Sequence, residues 1–230
     1  MTSWGIAGIG KLGGALMLRC EVNGIPLKVY HPDTAKARSQ LTEMTKMTAV
    51  DADQLAETDY VLLALPAGKT GEVVDALLTV TKRGKSLPVL INLSTNDKTA
   101  DLREQFPDFR WMGIKLAGHA KALKEEGKGL FVAEEWEANP EAARLFREIG
   151  EIAEGTEEDV AHFNRQVTEA AIAAAVKLKE QLAKANYDRD WIRHALTCSF
   201  PQVVKAYEQD ELGTFAKEVA KKISDESSSE

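Results

Sequence analysis

Gly8-Ile9-Gly10-Lys11-Leu12-Gly13 spaces three glycines as GxGxxG, and the chemistry that this spacing serves is the holding of a pyrophosphate by backbone groups. The first glycine permits a tight turn, the second lets the backbone approach the ligand, and the third lets a helix close on a strand. Free N–H groups at the helix start then face the phosphate charge, so Gly8, Ile9, Gly10, Lys11 and Leu12 are the first cofactor-binding candidates. Further on, Tyr30-His31-Pro32-Asp33 brings an acid close to the offset at which a carboxylate bonds ribose hydroxyls. Asp33 serves equally well as a cap for a helix starting at Thr34. His31 is the alternative ribose-facing residue, and Lys36 and Arg38 stand close enough in sequence to meet a 2′-phosphate. The expected cofactor is NAD or NADP, with the choice open.

Three later segments add hydrogen-bonding and titratable groups. Leu65-Pro66 follows an apolar run and is expected to line the cofactor with backbone. Asn92-Leu93-Ser94-Thr95-Asn96 follows the next run, where Asn92 and Ser94 either meet the ligand or cap a turn. Lys115-Leu116-Ala117-Gly118-His119 sets two titratable side chains on either side of small residues. Histidine titrates in the neutral range, which suits His119 to protonating a nascent alkoxide or amine as hydride arrives. Ser94, Lys115 and His119 are therefore the catalytic candidates.

The elements that must position these residues alternate. Ser3 to Ala7 is a short apolar strand before the glycines, and Leu12, Ala15, Leu16 and Arg19 to Val22 continue at helical spacing. Pro26 to Tyr30, Met47 to Val50, Asp59 to Leu65 and Leu87 to Leu93 are further strands. The last two are continuously apolar, as parallel strands covered on both faces are. Helices are expected from Thr34 to Leu41, from Thr70 to Lys82 with Gly84 as its stop, from Ala100 to Gln105, and from Pro140 to Ile149. Phe109 to Leu116 and Gly129 to Ala133 read as a paired set of strands. Such alternation predicts an α/β fold, a Rossmann doubly wound and mainly parallel sheet over residues 1–156.

From Glu157 the pattern is helical only, which predicts a small all-helical domain over 157–223, with 224–230 as a disordered tail. Its first helix carries Val160, Phe163, Val167, Ala171, Ala174, Val176 and Leu178 on a broad apolar surface that suits a homodimer interface. His162, Asn164, Arg165, Gln166 and Glu169 form a polar cluster early in the same helix, read either as a substrate-holding face or as a solvated one.

Together these residues resemble the 6-phosphogluconate dehydrogenase-like NAD(P)-binding superfamily, which includes β-hydroxyacid dehydrogenases, pyrroline-5-carboxylate reductases and F420-dependent NADP oxidoreductases. Gly8 to Gly14 is similar to the opening fingerprint of those enzymes, Ile91-Asn92-Leu93-Ser94-Thr95 to an Asp-Leu-Ser-Thr segment, and Ala117-Gly118-His119-Ala120 to a small-residue substrate loop. The resemblance implies hydride transfer between a nicotinamide and a small substrate: a hydroxy or oxo acid, an imine or a deazaflavin. The chain departs from it in three places. Pro32 stands where an Arg often clasps the 2′-phosphate, and both the Gly-x-x-x-Asn-x-x-Lys pattern and a Met-Pro-Asn segment before His119 are missing. The missing catalytic pattern and the long helical interface motivate an alternative, a dinucleotide-binding redox sensor without chemistry.

A formal net charge of -7, spread along the chain, opposes attachment to nucleic acid or an anionic membrane and leaves a small molecule as the expected partner. Two cysteines far apart, Cys20 and Cys198, form neither a metal pattern nor a disulfide framework, so no metal is expected and both read as buried small hydrophobes. No signal peptide is legible before the first strand, and the expected compartment is the cytoplasm.

Overall fold

The protein is described by a computed structural model over residues 2–81 and 87–227. Among the described residues, short apolar runs form one parallel sheet from β1 (Trp4–Ala7), β2 (Leu27–Tyr30), β3 (Met47–Val50), β4 (Tyr60–Leu63), β5 (Val89–Asn92) and β6 (Arg110–Gly113). Their spatial order is β3-β2-β1-β4-β5-β6. The order reverses between β1 and β4, and that switch point opens a crevice beyond the carboxyl ends of the strands. Side chains alternate across the sheet and feed two cores. Ile6, Leu62 and Ile91 pack with Leu16, Phe131 and Phe146 on one face, while Val61, Leu63 and Leu90 pack with Val74 and Leu77 on the other. Burial on both faces is why these strands read as unbroken apolar runs.

The covering helices are α1 (Lys11–Val22), α2 (Thr34–Gln40), α3 (Ala52–Leu55), α4 (Thr70–Thr81), α5 (Thr99–Gln105), α6 (Ala120–Glu126) and α7 (Pro140–Ile149). The expected end of α4 at Lys82 and its stop at Gly84 lie outside the described residues. A second sheet joins β7 (Lys115–Ala117), β8 (Leu130–Ala133) and β9 (Glu151–Glu154), with β7 antiparallel and β9 parallel to β8. The expected strand from Phe109 to Leu116 is thus two strands in two sheets. Ile114 closes the first ladder by donating its N–H to the Asn92 carbonyl at 3.1 Å, and Lys115 opens the second opposite Val132. Hydrophobicity alone cannot mark such a break, because both halves are apolar. β9 escaped the sequence reading because Glu151-Ile152-Ala153-Glu154 offers only two apolar residues.

The chain divides into two compact units, residues 1–165 and 166–230. α8 (Glu157–Lys184) begins in the first and continues through the second, which also holds α9 (Arg189–His194), α10 (Phe200–Glu208) and α11 (Thr214–Ser227). A π-helical turn, Ala195–Ser199, joins α9 to α10. The tail expected from residue 224 is helical as far as Ser227. Cys20 is buried, and desolvation pushes its thiol up to about 12, whereas Cys198 is exposed rather than buried as its helical setting suggested. No helix among the described residues is long and apolar enough to cross a membrane.

Candidate functional site

The glycine turn has the geometry its sequence implies. Gly8 follows β1 with φ +107°, and a Cβ there would sit 2.2 Å from the Ala64 carbonyl oxygen. A Cβ on Gly13 would lie 1.9 Å from the Gly8 oxygen, so α1 can close on β1 only because both side chains are absent. Gly10 differs: nothing lies within 4 Å of its Cβ position, which leaves the turn open to a ligand. Gly10 is also the N-cap of α1, no side chain caps it, and the first turn carries no acid. The N–H groups of Lys11, Leu12 and Gly13 therefore lie in the part of a helix that leaves donors free, with the positive end of its dipole. Ile9 is buried behind the turn and Lys11 is exposed.

At the end of β2, Asp33 caps α2, its Oδ1 accepting from the Lys36 N–H at 3.0 Å. His31 Nδ1 accepts from the Asp33 N–H at 2.9 Å, which leaves Nε2 for other partners. No carboxylate stands at the last position of β2, and Lys36 and Arg38 are exposed on α2. Leu65 is half-buried and Pro66 exposed where β4 leaves the sheet.

The loop after β5 is tied inward. Asn92 is fully buried, donating through Nδ2 to the Asp97 carbonyl at 2.7 Å and to Thr99 Oγ1 at 2.9 Å, while its Oδ1 accepts from the Ser94 N–H at 3.0 Å. It folds the loop, as the turn-capping alternative required. Ser94 is buried too, its Oγ accepting from the Asp97 N–H at 3.3 Å. Asp97 was not singled out in the sequence, yet its carboxylate accepts from Gly68 N–H at 3.2 Å and Thr70 Oγ1 at 2.8 Å. It bolts the β5–α5 loop to the β4–α4 loop.

Lys115 is 4% exposed, and its ammonium donates to the Ser94 and Asp97 carbonyls and pairs with Glu157 Oε1 at 3.1 Å. Burial pushes its pKa down, and the Glu157 carboxylate opposes that shift. With its three N–H groups occupied, Lys115 is a strut inside the protein. Glu157 also accepts from the Thr99 N–H at 3.1 Å and from the Thr99 hydroxyl. Gly113 makes room for it, since a Cβ there would lie 2.4 Å from Glu157 Oε1. Removing Glu157 strands the buried Lys115 ammonium, at a cost of up to about 3–5 kcal/mol. The sequence signal for Glu157 was indirect: a lysine in an apolar strand needs a counter-charge.

His119 alone of the three catalytic candidates is exposed. It is the N-cap of α6, with Nδ1 accepting from the Lys121 N–H at 3.1 Å, so a neutral ring carries its proton on Nε2. α6 packs along α1 with Gly127, past its C-terminal end, against the Arg19 guanidinium near the end of α1. Both helices therefore start at the edge that carries the glycine turn, and His119 heads the one beside it. Asn164, from the polar cluster of α8, holds this loop: its Oδ1 accepts from the Gly118 N–H at 2.8 Å and its Nδ2 donates to the Leu116 carbonyl at 3.1 Å. His162 and Arg165 beside it are exposed, and so are Gln166 and Glu169 in the second unit. Behind the β5–α5 loop lies a cavity of 540 Å³, lined by Thr95, Lys98, Arg103, Glu134 and Glu157 among others.

A sheet ordered in this way with a glycine turn at its switch point defines a Rossmann-type fold. Residues 3–88 match the family model described as NADP oxidoreductase, coenzyme F420-dependent. No curated protein matches the chain in sequence. Among solved structures, pyrroline-5-carboxylate reductase from Coxiella burnetii is similar with a TM-score of 0.72 and 13% identity, over 96% of this chain and 84% of that one. Pyrroline carboxylate reductase from Plasmodium falciparum, solved with NADP bound, gives 0.66 and 15% identity, over 97% of this chain and 85% of that one. The 3-hydroxyisobutyrate dehydrogenase of Mycobacterium tuberculosis gives 0.56 and 19% identity, over 81% of this chain and 65% of that one. At these identities the likeness is one of fold, a Rossmann-type sheet followed by helices.

Proposed function

We propose that the chain is an NAD(P)-dependent oxidoreductase acting on a small substrate with a C=O or C=N bond, such as an oxo acid, an imine or a deazaflavin. The observation that carries this reading is the pairing, at one sheet edge, of an open glycine turn with the exposed imidazole of His119 at the head of α6. When bound, the nicotinamide supplies or accepts hydride. Gly10 and the free N–H groups of Lys11 and Leu12 hold its pyrophosphate, and Ile9, Leu65 and Pro66 line the crevice. As a doubly protonated ring, its Nδ1 then no longer accepting from the Lys121 N–H, His119 gives from Nε2 the proton that a reduced oxygen or nitrogen must take up, is left neutral, and recovers the proton in the reverse direction. NADPH is the expected form. No acid stands at the end of β2, Asp33 is engaged as a helix cap, and Lys36 and Arg38 are exposed beside it. The exposed apolar side chains of the second unit are proposed to meet a second copy of this chain, giving a homodimer.

Calorimetric titration with NADPH and then NADH tests the site. Gly10→Val should preserve the melting temperature, because its Cβ position is free of neighbours, and abolish binding. His119→Ala should lower turnover by about 10²-fold or more while dinucleotide affinity stays within a few-fold. If neither dinucleotide binds, the reading is lost. If binding occurs without turnover on a panel of oxo acids, imines and deazaflavins, the redox-sensor alternative gains. The burial of Ser94 and Lys115 is the observation in its favour.

A further inference from the structure

α8 begins with a face that touches two loops. Steps of three and four residues bring Glu157, Val160 and Asn164 to one side of the helix, and the seven steps from first to last advance about 10.5 Å along its axis. Val160 is 3% exposed and seats the face. At one end Glu157 receives the Thr99 amide and hydroxyl and pairs with Lys115, whose ammonium reaches the Ser94 and Asp97 carbonyls. At the other end Asn164 accepts from Gly118 N–H and donates to the Leu116 carbonyl, bracketing the turn that presents His119. That turn needs bracketing: Gly118 has φ +126°, a conformation few other residues adopt, and nothing lies within 4 Å of its Cβ position.

We infer that Glu157 and Asn164 are positioning residues, and that α8 is a splint fixing the spacing between the Ser94 loop and the His119 turn. The sheet links these loops through the β6–β7 backbone and the Lys115 ammonium, whereas the helix holds each by side-chain bonds from one rigid face. Neither residue touches substrate; both act through the loops they hold. As far as rate is concerned, the inference rests on the reductase reading above; as far as loop order is concerned, it does not.

The test is site-resolved amide hydrogen exchange on the full chain, with NADPH titration and steady-state rates alongside. Asn164→Ala should speed exchange at Gly118 by about tenfold, the equivalent of one lost hydrogen bond, and leave residues 8–13 and 95–99 unchanged. Glu157→Gln alone strands a buried ammonium, so the pair Lys115→Met with Glu157→Gln is measured as well; it should loosen residues 95–99 and spare Gly118. With a substrate in hand, Asn164→Ala should lower kcat by about tenfold to a hundredfold with the dinucleotide KM within about threefold, the signature of a misplaced proton donor. Uniform loosening with a lowered melting temperature would reduce both residues to general stabilisers and overturn the inference. So would a loosened Gly118 with unchanged kcat. A wild-type protein that binds NADPH and turns over nothing defeats the reductase reading alone, because the exchange measurement still decides whether α8 holds the loops.

Discussion

Residues 1–165 and residues 166–230 solve the burial problem in opposite ways. The first unit covers both faces of its sheet and ties its edge loops together across long stretches of sequence, through Asp97, Lys115, Glu157 and Asn164. In the second, no residue whose burial is described is buried. Trp191 is 65% exposed and Phe215 79% exposed. Local side-chain hydrogen bonds are found there, such as Asp188 capping α9 and Thr197 donating to the Arg193 carbonyl. The contrast bears on where each unit finds its stability: the first in its own packing, and the second, under the homodimer proposed above, in a second copy of the chain.

The sharpest way to break that contrast is to cut one aromatic from each unit and compare the losses in dilute solution. Phe131 is fully buried, with its ring edge-on to Phe146 at 4.7 Å. Phe131→Ala should cost about 3–5 kcal/mol of unfolding free energy. Phe215→Ala should stay within about 0.5 kcal/mol where the chain is monomeric. Equal losses by chemical denaturation would mean that the second unit has a core of its own.

The surface itself is the next target. Trp191→Glu with Phe215→Glu should weaken association of the proposed homodimer by about 30-fold or more, because aromatic anchors contribute roughly 2 kcal/mol or more at such interfaces. Sedimentation across a concentration series reads this directly. A wild-type chain that stays monomeric at high micromolar concentration would remove the second copy as the occupant. The first unit should keep its unfolding midpoint in the double variant, since neither residue lies within it.

The two units also differ in how much of them the sequence made legible. Runs such as Tyr60–Leu63 and Val89–Asn92 announce a parallel sheet because burial on both faces leaves them almost wholly apolar, with Asn92 the exception at the strand's end. The glycine turn is equally plain, because steric exclusion at Gly8 and Gly13 is written in residue type. Side-chain roles at the edge were harder. Lys115 as a residue type suggests an acid or base, and only the approach of Glu157, 42 positions on, shows it to be a strut. Asn92 and Ser94 likewise turned inward, because the loop that carries them needs partners for its own backbone groups. Long-range pairings of this kind have no local signature, whereas the proton-donor candidate His119 stayed exposed as a cap whose ring is fixed by a neighbour two residues away.

The smallest expected effect reports on the first unit alone. Asp59, just ahead of β4, accepts from the Ser3 N–H at 2.7 Å and from the Ser3 hydroxyl at 2.8 Å, fastening the start of β1 beside the stacked pair of Trp4 and Tyr60. Those bonds, the backbone one first, hold its carboxyl below the usual value of 3.8. An acid whose pKa is lowered on folding contributes stability that is complete above its unfolded value and is lost as pH falls through the folded one. Asp59→Asn keeps the shape and removes the charge. The wild-type protein should therefore exceed the variant by under about 1 kcal/mol at pH 7, since the carboxylate is exposed and screened. The margin should shrink as the pH drops below 3.8. Denaturant midpoints at pH 7, 5 and 3 measure it, and a margin that holds constant through the acid range would show that the Ser3 clasp owes nothing to charge.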